Sequence, residues 1–290
     1  MKQLTNKNSI GWLFVLISVV AITLFYFYPM FDALLLSFQS GMGANLEYVG
    51  FDNWSRLLND PTLKQALINT MTYLMIQVPL MIVLALFFSV ILNDPNLKFR
   101  GFFRTAIFLP AVTSLVAYSV IFKYMFSVDG IVNQLLINLN LISEPIAFIS
   151  DPVWAKVVII LAITWRWTGY NMIFYLSALQ NIDRSIYEAA RIDGANSFQQ
   201  FIQITIPMLK PIILFTTITS TIGTLQLFDE VVNITSGGPG IQTISISQYI
   251  YDLSFKYTPN FGYAATVSYV IVILVVILSI IQFKVAGEKE

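Results

Sequence analysis

Neither cysteine nor histidine occurs among the 290 residues. Without thiols there is no disulfide or thiolate, and without imidazole the usual zinc sites and the commonest acid–base group are missing too. Charge is also scarce. The 16 Lys and Arg and 16 Asp and Glu make up 11% of the chain and cancel to zero. With a pI near 6.3 the chain offers no basic field for a nucleic acid. A phosphate-binding loop would need its glycines followed by GK[ST] and a helix; Gly237, Gly238, Pro239 and Gly240 instead make a turn. The sequence therefore predicts no catalytic residues, no metal, no cofactor and no ATP site of its own, so any ATP must be hydrolysed elsewhere.

What the chain has in abundance is apolar surface: 57% of its residues are hydrophobic and the mean hydropathy is +0.73, more than a soluble domain can cover. Six runs approach the roughly 20 apolar residues that cross a bilayer: 10–28, 71–92, 105–126, 153–179, 212–228 and 263–283. They are too continuous for alternating barrel strands, so an all-α membrane protein with six transmembrane helices is expected, one domain over 1–290. Pro29, Pro79 and Pro110 lie in or beside spans, and kinks are expected there. No small-residue cleavage signal follows the first run, which reads as a retained helix.

Basic residues orient the bundle. With the N-terminus in the cytoplasm, that side receives Lys2, Lys7, Lys98, Arg100, Arg104, Arg184, Arg191, Lys210, Lys284 and Lys289. The other side receives Arg56, Lys64, Lys123, Lys156 and Lys256, and Arg166 stays within the membrane. This distribution places both termini in the cytoplasm of a multi-pass cell-membrane protein.

The one long patterned polar stretch runs from Glu188 to Pro211, EAARIDGANSFQQFIQITIPMLKP. It reads as a helix over 184–193, a left-handed turn at Gly194, and a second helix begun at Ser197, capped by Asn196 and closed by Pro207. Phe198, Phe201, Ile202 and Thr205 share one face of that second helix, with Gln199, Gln200 and Gln203 opposite. An amphipathic hairpin on the bilayer surface could share this pattern, but it would carry a Lys/Arg-rich polar face. The block resembles the EAA loop of permease subunits in binding-protein-dependent ATP-binding-cassette importers, particularly the carbohydrate-uptake group of maltose and lactose type. Glu188, Ala189, Ala190, Asp193, Gly194, Ala195, Phe201, Ile204, Pro207 and Pro211 fall where that pattern wants them. The resemblance implies the type I importer permease (MetI-like) fold and a cytoplasmic coupling loop over 183–210 that grips an ATPase subunit.

Further stretches resemble the same group: FRTAIFLPAVTS from Phe103, with Asp129, Gly130 and Asn133 after the third span; the outer segment Tyr48 to Thr70; and FDEVVNITSGGPG from Phe228. Tyr48, Phe51 and Trp54 in the outer segment equally suit headgroup anchors. In the fourth span Ile163, Arg166, Trp167, Tyr170 and Phe174 follow one stripe. A mid-span cation is costly unless it faces protein or water, which leaves Arg166 two roles: a sugar contact, or an ion pair with Asp32, Asp229 or Glu230. Trp167 and Tyr170 can stack on the apolar faces of a sugar. Ser220, Gly223, Thr224 and Leu227 form a small, polar stripe on the fifth span that also suits close helix packing. The resemblance to maltose-type permeases implies a midplane sugar site here. Tyr170 and Ser220 match those permeases in residue type; Arg166, Trp167, Gly223, Thr224 and Leu227 differ, so the resemblance does not name the sugar.

The expected function is a permease subunit passing a sugar, a di- or oligosaccharide, across the cytoplasmic membrane. The resemblance implies as partners cytoplasmic ATP-binding subunits, a second similar permease subunit and an extracytoplasmic solute-binding protein, besides membrane lipid. An ion-coupled secondary transporter is the alternative, but it usually needs an acid deep in a span, and Asp32, Asp229 and Glu230 lie near span ends. The orientation has a direct test, because single cysteines can be introduced into a chain that has none. Cysteines placed within 94–104 and 183–210 are expected to label from the cytoplasm, and those within 40–63, 129–151 and 237–259 from outside. Labelling of Gly238→Cys from the cytoplasmic face alone would reverse the topology.

Overall fold

A backbone inside lipid has no water to bond, so long apolar runs close their hydrogen bonds internally as helices. The computed structural model describes residues 2–42 and 45–286, with side chains at all of these except 2–10, 13, 42, 45 and 286. Lys289 and the side chains of Lys2 and Lys7 thus lie outside the described residues. In chain order the elements begin with α1 (Lys2–Ile22), a π-helical turn (Thr23–Phe27) and α2 (Tyr28–Leu36). A hairpin of β1 (Gln39–Met42) and β2 (Asn45–Tyr48), α3 (Asp52–Leu57), α4 (Pro61–Asn93), α5 (Arg100–Val112), α6 (Leu115–Met125) and α7 (Ile131–Asn138) follow. Next come α8 (Pro152–Gln180), α9 (Arg184–Ile192), α10 (Ser197–Gln200), a second π turn (Phe201–Thr205) and α11 (Ile206–Leu225). The chain ends with α12 (Asp229–Ile234), α13 (Ile246–Tyr251), a third π turn (Asp252–Lys256) and α14 (Phe261–Ala286).

Five helical stretches are long and apolar enough to cross a membrane, and α5 and α6, bent by 100° at their junction, make a sixth if the pair crosses as one span. The mostly helical expectation therefore holds, with five to six candidate spans and three corrections. The third span is not one continuous helix: Thr113 and Ser114 are extended, with ψ of 155° and 134°, and Ser114 caps α6. The second helix of the patterned block does not end at Pro207 but runs on from Ser197 to Leu225. The π turn just before Pro207 widens the helix where the proline ring would clash with the preceding turn, and Ile206 N–H reaches back to the Phe201 carbonyl. The two-stranded hairpin, with Gln39 opposite Tyr48 and Met42 opposite Asn45, is a departure from an all-helical reading. α4 meanwhile passes through Pro79 without a break.

The chain divides into two units. One comprises 1–60 and 250–270. There Asn53 donates to the carbonyls of Ser37 and Gln39, both at 2.9 Å, and Thr266 Oγ1 donates to Ser37 O at 3.2 Å. Tyr263 OH donates to Asp60 at 2.6 Å while Arg56 lies over its ring at 3.9 Å. Tyr48 and Phe51 are exposed, as a headgroup anchor would be, but Trp54 packs against Phe38 and Tyr269.

The second unit, 61–249 with 271–290, is built on α4 against α8. Ala66, Tyr73, Met81 and Ala85 on α4 and Ala155, Val158, Ala162 and Met172 on α8 are fully buried. Small residues on these stripes let the backbones approach, the usual source of helix association in lipid. α5 also lies on α8, and Gly169 makes that possible: a Cβ there would stand 1.9 Å from the Ile107 carbonyl oxygen. Gly169→Ala is therefore expected to push α5 off α8, destabilising the purified protein by about 1–3 kcal/mol. Gly101→Ala, whose Cβ meets nothing within 4 Å, is the control. Equal melting temperatures for the two variants would refute the close approach.

Candidate functional site

The second unit encloses a cavity of about 170 Å3 between α4, α8 and α11. Trp167, Tyr170, Ser220, Gly223, Thr224 and Leu227, six of the seven pathway residues read from the sequence, line it. The helical period explains this on α8: 163, 167 and 170 rise on one side, and the Trp167 and Tyr170 rings meet edge to face at 5.6 Å. On α11 the same period brings Ser220, Gly223 and Thr224 to the facing side. Gly223 has nothing within 4 Å of where a Cβ would stand, so its small size contributes open volume.

Gln77, Met81, Ile163 and Thr219 also line the cavity. Ile163 was on the sequence stripe, but the contribution of α4 was not foreseen. The signal was there in Gln77, a polar residue at the seventh position of the apolar run 71–92. Gln77 makes a polar floor with its neighbours. Thr224 Oγ1 donates to Gln77 Oε1 at 3.0 Å, and the side-chain amides of Gln77 and Asn171 point at Met81 Sδ at 3.3 and 3.2 Å. Asn171 Oδ1 is buried with no partner among the described residues. The cavity thus combines two aromatic rings on one wall with amide and hydroxyl groups opposite, and holds no charge.

Arg166 is not in the lining. One position along α8 from Trp167, its guanidinium turns to the broken third span, where Nη1 donates to Thr113 O at 2.8 Å and Pro110 O at 3.1 Å. Nη2 donates to Ala111 O at 3.2 Å. Neither of the direct ion pairs with Asp229 and Glu230 forms, and Asp32 belongs to the other unit; the ion pair found among the described residues is Lys256 with Asp252.

The patterned block forms a compact turn between α9 and α10. Asp183 caps α9 by accepting from Ser185 N at 2.9 Å, which holds its carboxyl below the usual range. At the other end Gly194, with φ of +86°, lets Ala195 N bond Ala190 O at 2.8 Å and Gly194 N bond Arg191 O at 3.1 Å. This is the paired closure of a Schellman motif. Asn196 and Gln199 then exchange side-chain and backbone bonds in a capping box. Tyr187 OH and Thr205 Oγ1, 2.9 Å apart, tie α9 to the second π turn. Glu188, Ala189, Asp193 and Pro207 are exposed; Ala190, Ala195 and Phe201 are half-buried. The expected apolar face is split. Thr205 is buried and Phe201 partly so, whereas Phe198 (73%) and Ile202 are exposed, as is Ile192 (86%) on α9. The two segments expected on one side of the membrane, 94–104 and 183–210, meet at one end of this unit, where Asp94, Arg184, Arg191 and Ser197 line a common cleft.

Comparison with known proteins follows the same lines. The chain is 58% identical over 282 residues to the lactose transport system permease protein LacF of Rhizobium radiobacter, covering 97% of this chain and 95% of that protein. It is 36% identical to the arabinooligosaccharides transport system permease protein AraP of Halalkalibacterium halodurans, over 94% of this chain and 87% of that one. In three dimensions it matches a chain of a bacterial ABC transporter involved in the import of the acidic polysaccharide alginate. The TM-score is 0.82 at 23% identity, with 97% of this chain and 96% of that one covered, a likeness of fold. Residues 85–286 match the family described as binding-protein-dependent transport system inner membrane component, and with relatives this similar over nearly its full length the chain belongs to that family of ABC importer permeases.

Proposed function

We propose that this chain is the permease subunit through which a neutral di- or oligosaccharide of the lactose type crosses the membrane, and that the cavity between α4, α8 and α11 is its half of the pathway. The observation that carries this reading is the cavity lining: edge-to-face Trp167 and Tyr170 opposite Gln77, Ser220 and Thr224, with no charged side chain. Rings suit the C–H faces of a sugar, and amides and hydroxyls suit its hydroxyl groups. The similarity to lactose and arabinooligosaccharide permeases supports the same class. At about 170 Å3 the cavity is smaller than the roughly 300–1,000 Å3 of sites that engulf a whole ligand. A second, similar permease subunit supplies the rest of the site in this reading, and a solute-binding protein delivers the sugar. Membership of a binding-protein-dependent family removes the ground for an ion-coupled carrier, and the membrane component of such a system is not itself the catalytic one.

In the same reading the turn at Gly194 meets a cytoplasmic ATP-binding subunit, both termini being cytoplasmic. Ile192, Phe198 and Ile202 are exposed apolar groups on a water-facing loop, and the Glu188 carboxylate, on α9, has no hydrogen bond or ion pair among the described residues. Such groups gain most when a partner covers them.

Two outcomes are expected. In vesicles carrying the complete transporter, Trp167→Ala and Ser220→Ala should each raise the KM for lactose uptake about tenfold or more, by roughly 1.4 kcal/mol of lost binding; unchanged KM in both would remove the cavity from the pathway. Gly194→Val, which places a branched side chain at positive φ at a cost of about 1–2 kcal/mol, and Glu188→Ala should lower copurification of the ATPase subunit or separate ATP hydrolysis from uptake. Wild-type copurification, hydrolysis and uptake in both variants would end the docking assignment.

A further inference from the structure

The densest buried charge outside the cavity lies where α5, α6, α8 and α12 meet. Arg166 is 6% exposed and Glu230 4%, and ions at that depth are costly to hold unless hydrogen-bonded. They make no direct ion pair. Tyr118 of α6, also buried, stands between them: its hydroxyl donates to Glu230 Oε1, and its ring faces the Arg166 guanidinium, whose carbon lies 4.9 Å from the centroid. On its other side the same guanidinium takes the carbonyls of Pro110, Ala111 and Thr113. These acceptors lie around the end of α5, where the helix stops at Val112; Pro110 O also accepts from the N–H and the hydroxyl of Thr113, at 3.3 and 2.7 Å. A cation is the favoured group at a helix C-terminus, and only arginine has the fork to serve several carbonyls at once.

The arrangement joins four elements through three side chains. Arg166 holds the break in the third span, Tyr118 carries the contact across α6, and Glu230 anchors it on α12, the helix leading to the Gly237–Gly240 turn. Trp167, whose ring lies 5.6 Å from the same guanidinium carbon, is the next residue along α8 and a wall of the cavity.

We propose that Arg166, Tyr118 and Glu230 form a buried lock that sets the geometry of the third-span break and of the Trp167 wall, making Arg166 a positioning residue for translocation and not a sugar contact. The proposal rests on reading the cavity as the transport pathway. Its signature is interdependence. Arg166→Met leaves Glu230 as an unbalanced buried charge, Glu230→Gln does the converse, and the double variant removes both charges.

The test is a double-mutant cycle on the complete transporter in vesicles, measuring lactose uptake and binding-protein-stimulated ATP hydrolysis. Each single variant is expected to lower the maximal uptake rate at least tenfold with KM within about twofold of wild type, and the double variant to be no worse than the poorer single. A KM raised many-fold at an unchanged rate in Arg166→Met would make that residue a sugar contact and overturn the proposal. So would wild-type behaviour of the singles, or a double variant whose loss is the product of the two. If the singles fail to assemble and the double assembles, the interdependence is read at assembly and supports the lock. If none assembles, Tyr118→Phe decides, since it keeps the ring and removes only the hydroxyl: a rate reduced about threefold or more at constant KM supports the lock, and wild-type uptake overturns it. A wild-type complex that hydrolyses ATP but takes up no lactose would count against the sugar reading alone, and the same cycle is then read from hydrolysis.

Discussion

A membrane interior tolerates a broken helix only where something other than water bonds the freed carbonyls. In this protein that constraint falls at Thr113 and Ser114, where the third span turns by 100°. Arg166 bonds the Ala111 and Thr113 carbonyls there and shares Pro110 O with the N–H and hydroxyl of Thr113. The placement of α5 on α8, the course of α6 and the contact of α6 with α12 all follow from where that break sits. A lone charge in the fourth span is thereby explained by backbone chemistry in the third. Gly169, one turn further along α8, lets the α5 backbone lie against it at all.

The cavity is a product of the same packing. Two helical stripes that would otherwise meet are kept apart by the size of Trp167 and Tyr170 on α8, while Gly223 on α11 leaves open volume. The polar groups behind it are mostly committed to one another. Thr224 is spent on Gln77 and on the Ser220 carbonyl, and the Gln77 amide on the weak acceptor Met81 Sδ, which the Asn171 amide also meets while donating to Trp167 O at 2.9 Å. A thioether is a poor partner for an amide, so the Gln77 donor, which lines the cavity, loses little in turning to a hydroxyl group. A neutral, hydroxyl-rich ligand suits such a floor better than an ion does.

At the opposite extreme of burial, the turn around Gly194 is stabilised almost wholly by local chemistry. A Schellman closure, a capping box and the Asp183 cap satisfy the helix ends with residues a few positions apart. Its apolar side chains are therefore not needed for its own folding. Ile192, Phe198 and Ile202 remain outside, where they can serve a contact.

This contrast accounts for what could be read from the chain alone. Span positions follow from apolar run length, and the Gly194 turn and Asn196 cap from residues adjacent in sequence, so both were legible; the Asp183 cap and the Gln199 half of the capping box were not read there. The stripes at 163, 167 and 170 and at 220, 223 and 224 were legible as faces, because the helical period is local. Their meeting with Gln77 across α4 was not, since nothing in a periodic pattern says which helix lies opposite. Nor was the partner of Arg166: the sequence offers three carboxylates as candidates, but the groups that bond it are carbonyls, which every residue carries and which become available only where a helix stops. Trp54, Pro207 and the break at Thr113 teach the same lesson. Composition and period determined that the chain crosses the membrane in helices and which faces are polar. Tertiary packing alone decided which helix breaks, which runs on through a proline, and which side chains close around the cavity, because those outcomes depend on backbone groups and neighbours distant in sequence.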